Sequence, residues 1–132
     1  MATTFRSERT INPGAAAVAH QADVGDESAV QEMFAVASEQ LGPLDILINN
    51  AGIQKDANLL DMSAQDWEAV IRTNLTGQFL CAREAARQFC QRRGDPDGGA
   101  IGQMVFISSV HDRIPWAGHA NYAASKGGVL ML

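Results

Sequence analysis

Short apolar runs alternate along the chain with longer stretches in which apolar residues recur every three or four positions. The run Ala15 to Val24 is short and apolar, ends in acid and glycine, and reads as a buried strand, though alanine is a poor strand former. Asp26 then caps a helix whose positions Val30, Met33, Phe34, Ala37 and Leu41 form one stripe, and Gly42-Pro43 stops it. Leu44 to Ile48 is β-branched and nearly continuous in apolar character, the pattern of a strand covered on both faces in a parallel sheet. It gives way to Asn49-Asn50-Ala51-Gly52, small residues that let a ligand approach the backbone. Ser63 followed by Asp66 is close to a capping box. The stripe Trp67, Val70, Ile71, Leu75, Phe79, Ala82, Ala86 and Phe89 predicts a long helix to about Arg93, with Gly94 as its stop. Gly94 to Gly99 is a turn, Met104 to Ile107 a third strand, and Ser108-Ser109 sits at that strand's end. A loop with Pro115, Trp116 and Gly118 leads into a small-residue helix from about Asn121.

Strand and helix therefore alternate three times, which predicts an α/β class with a parallel sheet and a single domain over residues 1–132. Ligands in such sheets collect beyond the carboxyl ends of the strands. Those ends read Asp23-Val24, Asn50-Ala51-Gly52 and Ser108-Ser109.

Composition narrows the function classes. Ten Lys plus Arg against fifteen Asp plus Glu leaves a net charge of −5, the wrong sign for a binder of nucleic acid or of an anionic membrane surface. No window approaches the roughly 18 consecutive apolar residues of a membrane span, and Met1 to Thr10 has no signal-like apolar stretch, so the expected location is the cytoplasm. Cys81 and Cys90 are nine residues apart in one predicted helix, badly placed to pair with each other, and are expected as packing thiols. His20, His111 and His119 are scattered without ligand spacing, so no metal site is expected.

Chemistry concentrates in the last third. Tyr122 and Lys126 are four apart on a predicted helix, hence on one face a turn apart. An ammonium beside a phenol favours the phenolate and draws it toward acid–base work; the plainer alternative is a surface tyrosine near a solvated lysine. Ser109, thirteen residues before Tyr122, stands at a strand tip where its hydroxyl can hold a substrate oxygen or simply form a turn. Asn74 is a polar residue on the otherwise apolar face of the long helix, so its amide either ties the helix to a neighbouring backbone or organises water near a site. His111 and Trp116 line a substrate pocket or serve as a polar loop and a packing aromatic.

In order and spacing, Asn49-Asn50-Ala51-Gly52, Asn74 within Thr73-Asn74-Leu75, Ser109, and Tyr122-Ala123-Ala124-Ser125-Lys126 resemble the short-chain dehydrogenase/reductase family from about Ala19 to Leu132. Ser108 to His111, Ile114-Pro115-Trp116 and Tyr122 to Gly128 look most like its glucose 1-dehydrogenase branch. The resemblance implies a Rossmann-like doubly wound parallel sheet and hydride transfer between NAD or NADP and an alcohol or carbonyl, a sugar or polyol such as glucose. It makes Tyr122 the general acid or base, Lys126 its electrostatic partner and the holder of the ribose hydroxyls, Ser109 the hydrogen-bonding partner of the substrate oxygen, and Asn74 the support of a relay water. Asp23 and Val24 would meet the adenine, and Asn50, Ala51 and Gly52 would bring backbone to the cofactor. The protein positions, while the nicotinamide carries the hydride. Family helices equivalent to those of Asn74 and Tyr122 form subunit contacts, so a homo-oligomer is expected, with Ala82, Ala85, Ala86 and Phe89 as a surface for it.

A dinucleotide site also needs a first strand and a glycine-rich turn opening a helix, whose N-terminus holds the pyrophosphate. No such element is read here; the dense glycines Gly98, Gly99 and Gly102 precede a strand and have the acidic neighbours Asp95 and Asp97. In the family's sheet order two strands lie between the one ending at Asp23 and the one starting near Leu44, and neither is read here, although Phe5-Arg6-Ser7 faintly resembles the end of the second, where an arginine can meet the NADP 2′-phosphate. The expectation is a partial Rossmann-like domain lacking the N-terminal glycine-rich βα unit and the C-terminal strands, with its catalytic centre present. The competing expectation is a non-catalytic remnant that acts only as an oligomerisation module.

Overall fold

A computed structural model of the chain describes residues 16–92 and 100–132. Helix α1 (Glu27–Leu41) begins where Asp26 Oδ1 accepts the Ala29 N–H at 2.8 Å and ends at Gly42, whose φ of 87° reverses the chain. Strand β1 (Ile46–Asn49) follows. Helix α2 (Ala64–Ile71) starts at Ser63, whose hydroxyl accepts from the Asp66 N–H at 3.0 Å. A π-helical turn, Arg72–Thr76, joins it to α3 (Gly77–Gln91), so the predicted long helix is one rod with a widened turn inside it. Strand β2 (Gln103–Phe106), a short helical turn at Val110–Asp112 and helix α4 (Ala120–Met131) complete the chain.

β1 and β2 pair in parallel, with Ile46 opposite Gln103 and Asn49 opposite Phe106, and Ile107 N–H continues the ladder to Asn49 O at 2.9 Å. The parallel pairing with helical crossovers is the α/β architecture that the alternation predicts. One sheet face carries the core, in which Val30 and Phe34 of α1 pack on Leu80, Cys81, Ala85 and Phe89 of α3, flanked by Leu47 and Met104. Phe34 and Phe89 contribute about 1.5–3 kcal/mol each through burial. Burial also pushes the Cys81 thiol above its usual range, which suits a packing role.

The structure corrects four expectations. Residues 16–23 form no strand: they are mostly exposed and make no ladder hydrogen bond to β1 or β2, because an alanine-rich run without adjacent strands has nothing to pair with. β1 is covered on one face only among the described residues; Ile46 and Ile48 are 55% and 63% exposed, beside exposed Val105 of β2 and Ile107 just after it. The helical stripe also drifts. Val70, Asn74, Gln78, Cys81, Ala85 and Phe89 form one buried row, with Gly77 and Leu80 buried beside it, while Trp67 and Phe79 are exposed. Those buried positions advance about one residue further over five turns than 3.6 per turn allows, and the π-turn supplies that residue. Finally, Ala85 and Phe89 are sealed under α1, so they offer no oligomerisation surface. The predicted turn at Gly94 to Gly99 and the Phe5-Arg6-Ser7 resemblance lie outside the described residues.

Candidate active site

The parallel register sends the backbone after β1 and the backbone after β2 out of the same end of the sheet. Between them opens a cleft of about 240 Å³, lined by Asn50, Gly52, Ile53, Gln54, Ile107, Ser108, Tyr122 and Lys126. Four expected site residues, Asn50, Gly52, Tyr122 and Lys126, thus meet at one place. Lys126 is only 3% exposed, its Nζ donates to Ile107 O at 2.7 Å, and it lies 5.7 Å from the centre of the Tyr122 ring. Burial pulls the Lys126 ammonium below its usual range. Among the described residues one of its three N–H groups is bonded, which leaves two donors available to a ligand there.

Asn74 borders the cleft through its wall. Fully buried at the centre of the π-turn, it accepts the Ile53 N–H at 2.7 Å and donates to Ile53 O at 2.9 Å and to Ser125 Oγ at 3.1 Å. Of the two readings of this amide, the structure shows the tie to a neighbouring backbone. Ser125 Oγ in turn donates to Tyr122 O at 2.7 Å, which links the wall to the tyrosine helix. Gly52 sits where an added Cβ would stand 3.4 Å from Asn74 Oδ1, so bulk at this position has little room on that side.

Ser109 stands beside the cleft without lining it. Its hydroxyl accepts the His111 N–H at 3.3 Å at the start of the Val110–Asp112 turn, and no hydrogen bond among the described residues joins it to Tyr122. Its neighbour Ser108 lines the cleft and donates to Asp112 Oδ2 at 2.8 Å. Ala51 is exposed between two lining residues. Asp23 and Val24 are placed elsewhere, at the entrance to α1. The Asp23 carboxylate pairs with Arg72 at 3.0 Å and accepts the Gly25 N–H at 2.9 Å, while Val24 fills the space a Cβ on Gly77 would need.

Sequence reasoning missed Ile53, Gln54, Ile107 and Asn121. Ile53 and Ile107 take part through backbone groups, which side-chain type does not reveal, and Gln54 lines the cleft with no signal in its spacing; Asn121, fully buried in the first turn of α4, had as its signal a weak helix former beside the tyrosine. Next to the cleft, His111 packs edge-on against Trp116 and Tyr122 with ring centres 4.7 and 6.0 Å apart. Its Nδ1 lies 2.9 Å from Ile114 O; a carbonyl only accepts, so Nδ1 donates there, and in the neutral tautomer that does so Nε2 is an acceptor.

The cleft fits one end of a dinucleotide. Pockets enclosing drug-sized ligands run to about 300–1,000 Å³, so the size of this polar cleft would suit a nicotinamide-ribose portion and not a whole dinucleotide. The other end is not formed among the described residues: α1 and α2 open with Asp26 and Glu27 and with Ser63 and Asp66, side chains that already satisfy or oppose what a pyrophosphate would bind. No described helix is long and apolar enough to cross a membrane.

Residues 2–132 match the short chain dehydrogenase family model. The chain is 42% identical over 120 residues to hydroxyacyl-CoA dehydrogenase ChsB1 of Mycobacterium tuberculosis, covering 90% of this chain and 38% of that protein. It is 42% identical over 119 residues to 3beta-hydroxysteroid dehydrogenase 1 of Eggerthella lenta, covering 90% and 43%. A solved gluconate 5-dehydrogenase from Burkholderia cenocepacia, in complex with NADP and tartrate, superposes with a TM-score of 0.73 at 36% identity, covering 83% of this chain and 40% of that one. The chain thus spans about two fifths of the length of the relatives it matches.

Proposed function

The chain belongs to the short chain dehydrogenase family, and on that premise we propose that its cleft carries the proton-transfer half of an NAD- or NADP-linked oxidoreductase. The observation that carries this reading is the convergence of Tyr122 and buried Lys126 at the carboxyl end of a parallel sheet, opposite the Asn50–Gly52 backbone. The nicotinamide, when bound, gives or takes the hydride. Tyr122 gives a proton to the substrate oxygen during carbonyl reduction and takes one during alcohol oxidation. Lys126 stabilises negative charge on that phenol through a little-hydrated environment, and its two remaining N–H donors hold the ribose hydroxyls. Asn50, Ala51 and Gly52 bring backbone against the same group. Ser109, at the tip of β2, is the proposed partner of the substrate oxygen, with Ser108 beside it in the cleft. Asn74 acts by fixing the wall opposite Tyr122, and Asp23 and Val24 are the proposed adenine contacts.

For substrate class the same reading takes a polyhydroxy compound, a sugar or polyol. Two features support it: the likeness to a gluconate 5-dehydrogenase, and the His111 Nε2 acceptor beside Tyr122, which suits a hydroxyl donor. Self-association of the chain belongs to this proposal as well, given exposed Ile46, Ile48, Trp67 and Phe79. The test is turnover of the chain with NAD+ or NADP+ and glucose, gluconate and simple polyols, followed by nicotinamide absorbance. Tyr122→Phe is expected to lower any rate by about 10²–10⁴-fold with an unchanged circular dichroism spectrum. An undiminished rate removes Tyr122 from acid–base work, and no turnover with either nucleotide removes the activity from this chain.

A further inference from the structure

We propose that Asn121 is a positioning residue of the cleft, holding the Ile53–Lys55 wall in register with the first turn of the Tyr122 helix. The inference rests on reading that cleft as an oxidoreductase site. Asn121 is fully buried, and its whole amide is committed. Nδ2 donates to Lys55 O at 2.8 Å and to Asp66 O at 3.5 Å, while Oδ1 accepts the Tyr122 N–H at 2.7 Å. One side chain thus joins three separate pieces of chain: the wall, α2 and α4.

The triangle closes on itself, because the Lys55 ammonium pairs with the Asp66 carboxylate at 2.7 Å. Lys55 is gripped by its carbonyl and by its side chain, one residue past Gln54 of the cleft lining. Further along, Asp56 meets His119 Nδ1 at 2.9 Å and the Ala57 N–H reaches Gly118 O at 3.0 Å. The wall has no helix or strand of its own, so these bonds set its position. Asn121 bonds the wall and the Tyr122 N–H directly, whereas Asn74 reaches the Tyr122 carbonyl only through Ser125, so Asn121 is the direct link between the wall and the tyrosine backbone among the described residues. An apolar residue of similar size would fill the space and leave the Lys55 carbonyl without its buried donor.

Asn121→Asp separates this role from packing. The aspartate keeps the shape and an acceptor for the Tyr122 N–H, and at neutral pH it loses the donor to Lys55 O; protonation in acid restores an O–H donor. Amide exchange followed by NMR is expected to show Ile53, Gln54 and Asp56 exchanging about tenfold faster than in the parent at neutral pH, with the gap closing as the pH is lowered, since burial raises the introduced carboxyl above its usual range, while Leu80 and Cys81 in the core stay unchanged. NADPH affinity, read by fluorescence, is expected to fall several-fold and to recover over the same pH range.

Equal exchange at the wall and equal affinity in parent and variant would overturn the proposal, as would accelerated exchange throughout the core with no recovery in acid. If the variant does not fold, the parent decides alone. Its Asn121 side-chain amide protons should exchange slowly and show contacts to Lys55, and fast exchange of those protons rejects the clamp. A parent that binds no NADPH refutes the oxidoreductase reading of this chain, while wall exchange still decides whether Asn121 positions it.

Discussion

Replacing Asn74 with alanine should be the most costly single loss of hydrogen bonding around the cleft. The side chain is fully buried and serves three partners, the Ile53 N–H, the Ile53 carbonyl and Ser125 Oγ. Each group left unpaired costs about 1–3 kcal/mol when water cannot replace the partner. Ile53 is 37% exposed, so water reaches part of the vacated site and the low end applies. About 1 kcal/mol for each partner gives about 3 kcal/mol in total, a large share of the roughly 5–15 kcal/mol that holds a domain folded. With a urea slope of about 2 kcal/mol per molar, the unfolding midpoint should fall by about 1.5 M. Circular dichroism in urea measures it directly. Asn74→Asp keeps the acceptor for the Ile53 N–H but loses both donors and buries a carboxylate against the Ile53 carbonyl, so it should be at least as costly at neutral pH. A midpoint for Asn74→Ala within about 0.3 M of the parent would show that the buried amide contributes no net stability and that the wall is held by other bonds.

Two further outcomes follow from the packing and the charges. At Gly102 an added Cβ would stand 2.5–2.6 Å from three atoms of the Phe89 ring, so Gly102→Ala should destabilise the chain in a thermal melt, by about 1–3 kcal/mol if the buried ring moves; an unchanged melting temperature would place that ring away from β2. The Ser28 hydroxyl and then the Ala29 N–H lower the Asp26 carboxyl, and the Lys55 ammonium and then the Ser63 hydroxyl lower that of Asp66. Both folded values lie below the usual 3.8, so their stabilisation is complete above that pH and is lost as pH falls through the folded values. An acid titration followed by circular dichroism should lose structure below that point, less steeply in Asp26→Asn with Asp66→Asn, and an identical acid limb would assign the loss to other groups.

Which parts of this molecule are legible in its sequence depends on whether side chains or backbone carry the information. Helix α1 is read almost to the residue, since Asp26 and Gly42 announce its ends and Val30 and Phe34 its buried side. The rod from Ala64 to Gln91 is read as one long helix, but the π-turn is invisible to a 3.6-residue template; past it Phe79, Ala82 and Ala86 are read as core where Gln78, Cys81 and Ala85 are buried, while Phe89 is read correctly. The Ala15 to Val24 run fails for a different reason. A strand is a property of a pair, and an alanine-rich segment with no adjacent partner gains nothing from being extended. Tyr122 and Lys126 are legible because their chemistry lies in their side chains and their spacing sets them on one helix face. Ile53 and Lys55 are not, because they contribute peptide groups that any residue would present.

The electrostatics of the two ends of the cofactor path also explain why the cleft alone is formed. At the tyrosine end the groups facing the cleft are mostly neutral or cationic, with Lys126 donating and Asn50, Gln54 and Ser108 able to donate or accept. That environment suits hydroxyl groups and a developing oxyanion. At the entrance to α1 the order is reversed. Asp23, Asp26 and Glu27 crowd the positive end of the helix, Asp26 already accepts the Ala29 N–H, and Arg72 is drawn onto Asp23. A pyrophosphate brought there would meet carboxylates instead of free N–H donors, so its negative charge must be held by a different helix terminus. Among the described residues α2 is no better, because Ser63 and Asp66 occupy its first turn. On the proposed reading, proton transfer at Tyr122 and retention of a dinucleotide are separable tasks, and the described residues supply groups suited to the first.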